Sequence, residues 1–262
     1  MVPFLSDRVA LVTGASRGLG AGTAKMLARA GATVVLTARD QATLDVVADD
    51  IRAEGGKVAA CAAELADDSA VRQMVEQTVD AFGRIDFLLS IGGSADGIGT
   101  DLDSVAPDVW ARLWEANVTG PLNLVRHILP VMRQQQAGRL FFLSSSATFR
   151  PMFNTGAYGA TKAAVNHLVQ SISAQPNYGG ITACAFNPGP IDTPVFAQVS
   201  AALWQGQTSD ATRSPETAAR LLLWLCSAET EGLTGEFVQW NSPNTMAAVG
   251  AFLQRYQIRQ DD

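Results

Sequence analysis

Short apolar segments alternate with longer amphipathic segments along most of the chain, and this alternation restricts the fold more than any other feature. Strands that alternate with helices predict a parallel sheet with helices on both faces. With right-handed crossovers this is an α/β doubly wound parallel sheet, a Rossmann fold, in a single domain over residues 1–262. The predicted strands are Arg8–Thr13, Thr33–Thr37, Lys57–Ala62, Ile85–Ser90, Gly138–Ser144, Gly180–Phe186 and Glu236–Trp240. The predicted helices are Gly18–Ala30, Gln41–Glu54, Asp67–Phe82, Pro107–Met132 (one helix or two), Ala157–Ile172 and Pro215–Ala228.

The composition excludes several classes of protein. Of the 262 residues, 47% are hydrophobic and 17% are charged, which predicts a large buried core rather than disorder. The net charge of −6 repels phosphate backbones, so nucleic acid is not expected as a partner. The chain has two histidines and three cysteines without a Cys-x-x-Cys pair, which argues against a metal site and against disulfides. The few cysteines and the lack of a signal-peptide pattern favour a cytoplasmic location. No apolar run reaches the ~18 residues of a membrane span.

A glycine-rich turn separates the first predicted strand from the first predicted helix. Its sequence, Thr13-Gly14-Ala15-Ser16-Arg17-Gly18-Leu19-Gly20, has GxxxGxG spacing rather than the GxGxxG of the better-known dinucleotide fingerprint. Glycines let a pyrophosphate approach the backbone, and the free N–H groups at a helix N-terminus attract it. We therefore expect a nucleotide at this turn. The alternative is a structural turn whose glycines only relieve crowding.

Two arginines near the end of the second strand bear on the choice between NADP(H) and NAD(H). Ala38 stands where an acidic residue would bind a ribose 2′-hydroxyl, and Arg39 and Arg17 can accommodate a 2′-phosphate. This favours NADP(H), with NAD(H) the less favoured cofactor. In the alternative interpretation, Asp40 caps the next helix or binds the ribose, and Arg39 is only solvated.

A tyrosine and a lysine lie four residues apart at the start of a predicted helix. Tyr158 and Lys162 therefore share one helix face, where the ammonium would lower the pKa of the phenol. Such a tyrosine can exchange a proton with a carbonyl or alcohol oxygen. Ser144, Ser145 and Ser146 lie at the carboxyl-terminal end of a predicted strand, where ligands bind in such sheets, and a hydroxyl there could polarise the substrate oxygen. The alternatives are an exposed Tyr–Lys face and a polar turn.

Five ordered motifs resemble the short-chain dehydrogenase/reductase family, in its ketoreductase-like branch. The resemblance covers roughly residues 5–245, and Ser145 precedes Tyr158 by the family's usual interval, unlike Ser144 and Ser146. The motifs are TGASRGLG, Asn117 within EANVTG, Ser145, Tyr158-x-x-x-Lys162 and Pro188-Gly189-Pro190-Ile191-Asp192-Thr193.

The resemblance implies a role for each of these residues. Tyr158 would be the general acid or base, Lys162 would lower its pKa and hold the nicotinamide ribose, and Ser145 would orient the substrate oxygen. Asn117 would kink its helix and hold a water that relays protons toward Lys162. Glu64 and Leu65 would contact the adenine, and no metal would be needed. The full set of cofactor contacts would be Gly14, Ser16, Arg17, Gly18, Leu19, Gly20, Arg39, Glu64, Leu65, Ser90, Gly92, Tyr158, Lys162, Pro188, Gly189, Ile191 and Thr193.

The chain departs from the family's pattern at three places. Ser90-Ile91-Gly92-Gly93 replaces Asn-Asn-Ala-Gly, so the asparagine hydrogen bonds near the adenine ribose are lost. Pro176 interrupts a helix that commonly forms a subunit interface, and a homodimer or homotetramer is still expected. Asn241-Ser242-Pro243-Asn244 stands where Gly-Gly is common, which affects the pocket floor or a tetramer contact.

Aromatic residues and one methionine around the predicted site favour an apolar or aromatic small-molecule carbonyl or alcohol substrate, although they could instead pack in the core. They are Phe196 and Trp204 in a variable lid over about 194–214, and Phe149, Met152 and Phe153. The leading hypothesis is an NADP(H)-dependent carbonyl reductase or alcohol dehydrogenase. The alternatives are an NAD(H)-dependent alcohol dehydrogenase, a non-catalytic cofactor-binding sensor, and a related lyase, isomerase or epimerase.

Overall fold

Seven parallel strands form the centre of the part of the chain that the computed structural model describes, residues 2–150, 153–204 and 212–258. The strands are β1 (Val9–Thr13), β2 (Thr33–Ala38), β3 (Lys57–Ala62), β4 (Phe87–Ser90), β5 (Gly138–Leu143), β6 (Ile181–Asn187) and β7 (Phe237–Gln239). Their order in the sheet is β3-β2-β1-β4-β5-β6-β7. The helices are α1 (Gly18–Arg29), α2 (Gln41–Ala53), α3 (Asp68–Phe82), α4 (Pro107–Trp114), α5 (Gly120–Gln135), α6 (Gly156–Ser173), α7 (Pro194–Trp204), α8 (Pro215–Leu225) and α9 (Pro243–Arg255).

The sheet changes its direction of growth at β1, which pairs with β2 on one side and β4 on the other. All five residues of β1 are buried, because helices cover both faces of the sheet. Its side chains alternate between two cores: Ala10 and Val12 pack in one, Val9 and Leu11 in the other. In such sheets the reversal leaves a crevice at the carboxyl ends of the strands, and this is where a ligand is expected to bind.

The helix bounds follow local capping chemistry. At the start of α3, the carboxylate of Asp67 accepts hydrogen bonds from the backbone N–H groups of Ser69 and Ala70. At its end, Gly83 adopts a left-handed conformation with a φ of +75°, which glycine reaches without strain. Both signals are visible in the sequence, and α3 accordingly lies close to its predicted bounds.

The structure confirms the doubly wound parallel sheet and each of the seven predicted strands, with small shifts at their ends. The predicted helix at Pro107–Met132 is two α-helices, α4 and α5, joined by a π-helical segment at Glu115–Thr119. Pro176 lies beyond α6, which ends at Ser173, so the interruption predicted there is the end of the helix.

Two helices, α7 and α9, were not predicted. Each begins at a proline, Pro194 or Pro243, whose fixed φ suits the first turn of a helix. The apolar residues of α7 surround its axis, so the segment lacks a helical period, and no helix is predicted within the variable lid over about 194–214. The structure shows a helix in the first half of the segment, and residues 205–211 lie outside the described part of the chain. The role of the segment as a lid stays a prediction.

Candidate active site

A cleft of about 1450 Å³ opens at the carboxyl ends of the strands. It runs from the glycine turn after β1 to the loops that follow β5, β6 and β7. The predicted site residues that line it are Gly14, Ser16, Arg17, Gly18, Leu19, Gly20, Arg39, Glu64, Leu65, Gly92, Ser145, Tyr158, Lys162, Pro188, Gly189, Ile191 and Thr193. Two predicted site residues, Ser90 and Asn117, are buried behind the lining.

The glycine turn has no room for side chains. A Cβ atom on Gly14, whose φ is +64°, would lie 2.8 Å from the Cα atom of Gly92, and one on Gly20 would collide with the carbonyl oxygen of Gly14. No side chain caps the N-terminus of α1, where Arg17 takes the capping position. The first N–H groups of α1 are therefore open to a ligand, and this cradle of bare backbone fits the pyrophosphate of a dinucleotide.

Thr13, which was not among the predicted site residues, holds the backbone after β4. Its hydroxyl oxygen accepts hydrogen bonds from the N–H groups of Ile91 and Gly92, each 3.0 Å long. These bonds fix the segment that lacks the family's asparagines. A threonine at the end of the first strand is the sequence signal for this role, but a threonine is equally typical of a strand residue without such a role.

Arg17 and Arg39 are exposed on the same part of the cleft, and in the described part of the chain neither forms an ion pair. Asp40 caps α2, because its side chain accepts a hydrogen bond of 2.8 Å from the N–H group of Thr43. This confirms the capping role in the alternative interpretation of Asp40. It leaves the two guanidinium groups as positive charges at this end of the cleft.

Ser145, Tyr158 and Lys162 meet at the middle of the cleft. Ser145 follows β5 and forms a side-chain hydrogen bond with Tyr158, near the start of α6. The ammonium of Lys162, one turn further along, lies 5.6 Å from the centre of the Tyr158 ring. It donates a hydrogen bond of 3.1 Å to the carbonyl oxygen of Leu143 and is 3% exposed. The i, i+4 spacing therefore brings phenol and ammonium together as predicted.

Burial shifts the pKa values of both groups. The pKa of Lys162 falls to about 8, because the buried ammonium has lost its hydration. The pKa of Tyr158 rises to about 12 for the same reason, opposed by its hydrogen bond with Ser145. Burial thus raises the phenol pKa above its ordinary value, and the lowering of this pKa by Lys162 stays a prediction. At neutral pH the site holds a neutral phenol beside a mostly protonated amine.

The structure distinguishes Ser145 from its neighbour. The hydroxyl of Ser144 is buried and donates a hydrogen bond of 2.6 Å to the side-chain oxygen of Asn166, which in turn donates from its amide to Thr148. Ser144 therefore ties β5 to α6, whereas Ser145 bonds with Tyr158. The choice of Ser145 from its interval to Tyr158 agrees with this geometry.

Asn117 lies in the π-helical segment between α4 and α5, in agreement with the predicted kink. Its amide donates to the carbonyl of Ser94 and to the hydroxyl of Thr161, and its side-chain oxygen accepts from the N–H group of Ser94. The side chain thus fixes the loop after β4 against α6. A Cβ atom on Gly93 would lie 2.7 Å from the Asn117 oxygen and 3.5 Å from the Lys162 nitrogen. Gly93 therefore permits this close packing, and the water relay stays a prediction.

The far end of the cleft is apolar but not free of charge. The ring of Phe149 lies 4.8 Å from that of Phe237, centre to centre. Phe153 is 81% exposed and does not line the cleft; Met152 and the side chain of Trp204 lie outside the described part of the chain. Other apolar side chains that line the cleft are Ile98, Val195, Phe196, Val199 and Leu203, and charged ones are Asp96, Arg112, Glu115 and Arg150.

Neither a metal centre nor a membrane span is present among the residues the structure describes. No three of their His, Cys, Asp and Glu side chains lie close enough together to hold a metal ion. None of their helices is both long enough and apolar enough to cross a membrane.

The chain is similar to known proteins over most of its length. A family model described as short chain dehydrogenase matches residues 8–204. A short chain dehydrogenase of Pseudocercospora fijiensis is 32% identical over 194 residues, which are 74% of this chain and 62% of the relative. An A-factor type gamma-butyrolactone 1′-reductase (1S-forming) of Streptomyces virginiae is 31% identical over 246 residues, 88% of this chain and 93% of the relative.

Solved structures share both the fold and the length. A short chain dehydrogenase from Salmonella enterica serovar Typhi superposes with a TM-score of 0.85 at 27% identity, covering 92% of this chain and 99% of that one. A 3-ketoacyl-ACP reductase from Sinorhizobium meliloti gives 0.77 at 28% identity, covering 88% and 96%. With the family model and the sheet in agreement, the chain belongs to the short-chain dehydrogenase/reductase family of nicotinamide-dependent oxidoreductases.

Proposed function

We propose that this chain is an oxidoreductase that transfers hydride between NADP(H) and a carbonyl or alcohol substrate, with Tyr158 as the general acid or base. The observation that carries the proposal is the meeting of Ser145, Tyr158 and Lys162 in one cleft with the open glycine turn. The nicotinamide, when bound, supplies or accepts the hydride.

The proton chemistry follows from the state of each side chain. In reduction the neutral phenol of Tyr158 donates its proton to the substrate oxygen as charge develops there. Ser145, already bonded to Tyr158, orients the same oxygen. The Lys162 ammonium, 5.6 Å from the ring centre, stabilises the phenolate that remains. In oxidation the proton moves the other way, and Tyr158 must first lose its own.

The proposed cofactor is NADP(H), because Arg17 and Arg39 leave positive charge exposed where a 2′-phosphate would lie. NAD(H) is the second candidate, since Asp40 also lines this part of the cleft and a carboxylate can bind a ribose 2′-hydroxyl. The residues of Gly14–Gly20, Glu64, Leu65 and Gly92 would hold the adenine half. Pro188–Thr193 would hold the nicotinamide half.

The proposed substrate is a small apolar or aromatic carbonyl compound or alcohol. The apolar side chains at the far end of the cleft support this, and two relatives are named as reductases. We propose a cytoplasmic location because Cys61, Cys184 and Cys226 are free thiols. The exposed stacked rings of Trp110 and Trp114, 5.8 Å apart, support a homodimer or homotetramer.

The test is a panel of aromatic and aliphatic ketones, each supplied with NADPH or NADH and followed by the absorbance of the reduced cofactor. We expect turnover of aromatic ketones with NADPH and a much lower rate with NADH. Tight NADPH binding without turnover of any ketone, or of any alcohol with NADP⁺, would instead identify a cofactor-binding sensor. Product analysis separates reduction from a lyase or isomerase reaction.

A further inference from the structure

Arg213, in the loop before α8, contacts the segment that follows β6. The guanidinium of Arg213 donates a hydrogen bond to the carbonyl oxygen of Pro188. It also stacks on the indole of Trp240, 3.8 Å from the ring centre, and Trp240 lines the cleft. Arg213 therefore connects Trp240, which lines the cleft, to Pro188 in the loop after β6.

The backbone strengthens the same connection. Arg213 donates to the carbonyl of Pro190 over 3.2 Å and accepts from the N–H group of Asp192 over 2.9 Å. Gly189 has a φ of +76°, and a Cβ atom there would collide with the indole nitrogen of Trp240. The loop Pro188–Asp192 is thus in contact with both Arg213, through hydrogen bonds, and Trp240, through the packing of Gly189.

The Arg213 guanidinium is held in a poorly hydrated place. Burial lowers its pKa to about 10, and its Nε atom is buried without a hydrogen-bond partner among the described residues. Withdrawing a cation from water is costly, and here its contacts are a carbonyl and an aromatic face. Such an arrangement fixes the position of the group that it contacts.

We propose that Arg213 and Trp240 are positioning residues, which hold the loop Pro188–Asp192 in the shape needed to grip the nicotinamide half of the cofactor. The inference rests on the proposed cofactor binding. It concerns one end of the cleft, because β2, which precedes Arg39, and β6, which precedes Pro188, are four strand positions apart. At the usual strand spacing this is about 19 Å.

The separation allows the two halves of the cofactor to be probed independently. We compare NADPH with adenosine 2′,5′-bisphosphate, which carries the adenine end and the 2′-phosphate but no nicotinamide. In Arg213→Met the dissociation constant of NADPH should rise about tenfold or more, while that of the bisphosphate stays unchanged. Arg213→Lys keeps the charge but not the planar stack. Its dissociation constant for NADPH should lie between those of the wild type and Arg213→Met. Arg255→Met, which removes an exposed ion pair with Glu229, is the control and should leave both constants unchanged.

A second measurement needs no cofactor. In the loop only Gly189, Ile191, Asp192 and the following Thr193 carry exchangeable amides, because residues 188 and 190 are prolines. Hydrogen exchange at these amides should accelerate about tenfold in Arg213→Met and not in Arg255→Met.

Three outcomes would overturn the assignment: unchanged exchange in the loop, unchanged NADPH affinity, or equal weakening of NADPH and the bisphosphate. The last would mean that Arg213 only supports the fold. If the wild-type protein binds neither probe, the proposed cofactor fails, whereas the exchange rates still decide whether Arg213 holds the loop.

Discussion

The two ends of the cleft differ in what lines them. The adenine end, around Gly14, Arg39 and Leu65, combines a glycine turn that has no room for side chains with the exposed guanidinium of Arg39 after β2 and with Leu65 after the edge strand β3. The substrate end, around Phe149 and Phe196, consists of exposed and half-buried side chains on a short turn and on α7. The first is shaped by the fold itself, and the second depends on side chains that can change without disturbing the sheet. Substitutions should therefore separate cofactor binding from substrate binding.

The largest expected effect lies where the two ends meet. Tyr158→Phe removes the proton donor but keeps the ring, so kcat should fall by about 10²- to 10⁴-fold while NADPH affinity is retained. Single-turnover rates and NADPH titration measure the two quantities. Tyr256→Phe, in a ring cluster with Phe4 and Phe252, is the matched control and should keep normal turnover. Near-normal turnover in Tyr158→Phe would refute the mechanism.

The buried Lys162 should appear in the pH dependence of stability. Its pKa of about 8 in the folded chain lies below the ordinary 10.5, so the unfolded chain binds more protons between these values. The free energy of unfolding of the wild type, relative to Lys162→Met, should therefore rise with pH, on the order of 2 kcal/mol from pH 7 to pH 10. Urea unfolding at several pH values measures this difference. A difference that does not vary with pH would show that the ammonium is hydrated.

The adenine end should respond selectively to the 2′-phosphate. Arg39→Ala removes one charged partner, and a charge-assisted hydrogen bond of about 1.5–3 kcal/mol corresponds to roughly 10- to 100-fold weaker NADPH binding. The affinity for NADH should hardly change. Arg52→Ala, on the exposed side of α2 and paired with Asp49, is the matched control for charge. Equal losses for the two cofactors would contradict the NADP(H) assignment.

The same contrast explains what the sequence could predict. The strands and the glycine turn follow from local rules, since apolar runs and positive-φ glycines leave few other folds. The spacing of Tyr158 and Lys162 also suffices to place them together. The stacking of Arg213 on Trp240 joins residues that are distant along the chain, so neighbouring residues do not predict it. The helix α7 has no apolar period, so the pattern of its own residues does not predict it either. The pKa of Tyr158 depends on burial, which spacing does not reveal.

The smallest expected effect belongs to the substrate end. Phe149 lines the cleft although it is 61% exposed, and an aromatic contact contributes about 0.5–1.5 kcal/mol. Phe149→Ala should therefore raise the KM for an aromatic ketone roughly two- to tenfold while the dissociation constant of NADPH stays constant. Phe153→Ala is the matched control, because Phe153 is more exposed and lies outside the lining. An equal rise of KM in both variants, or weaker NADPH binding in Phe149→Ala, would mean that the two ends of the cleft do not act independently.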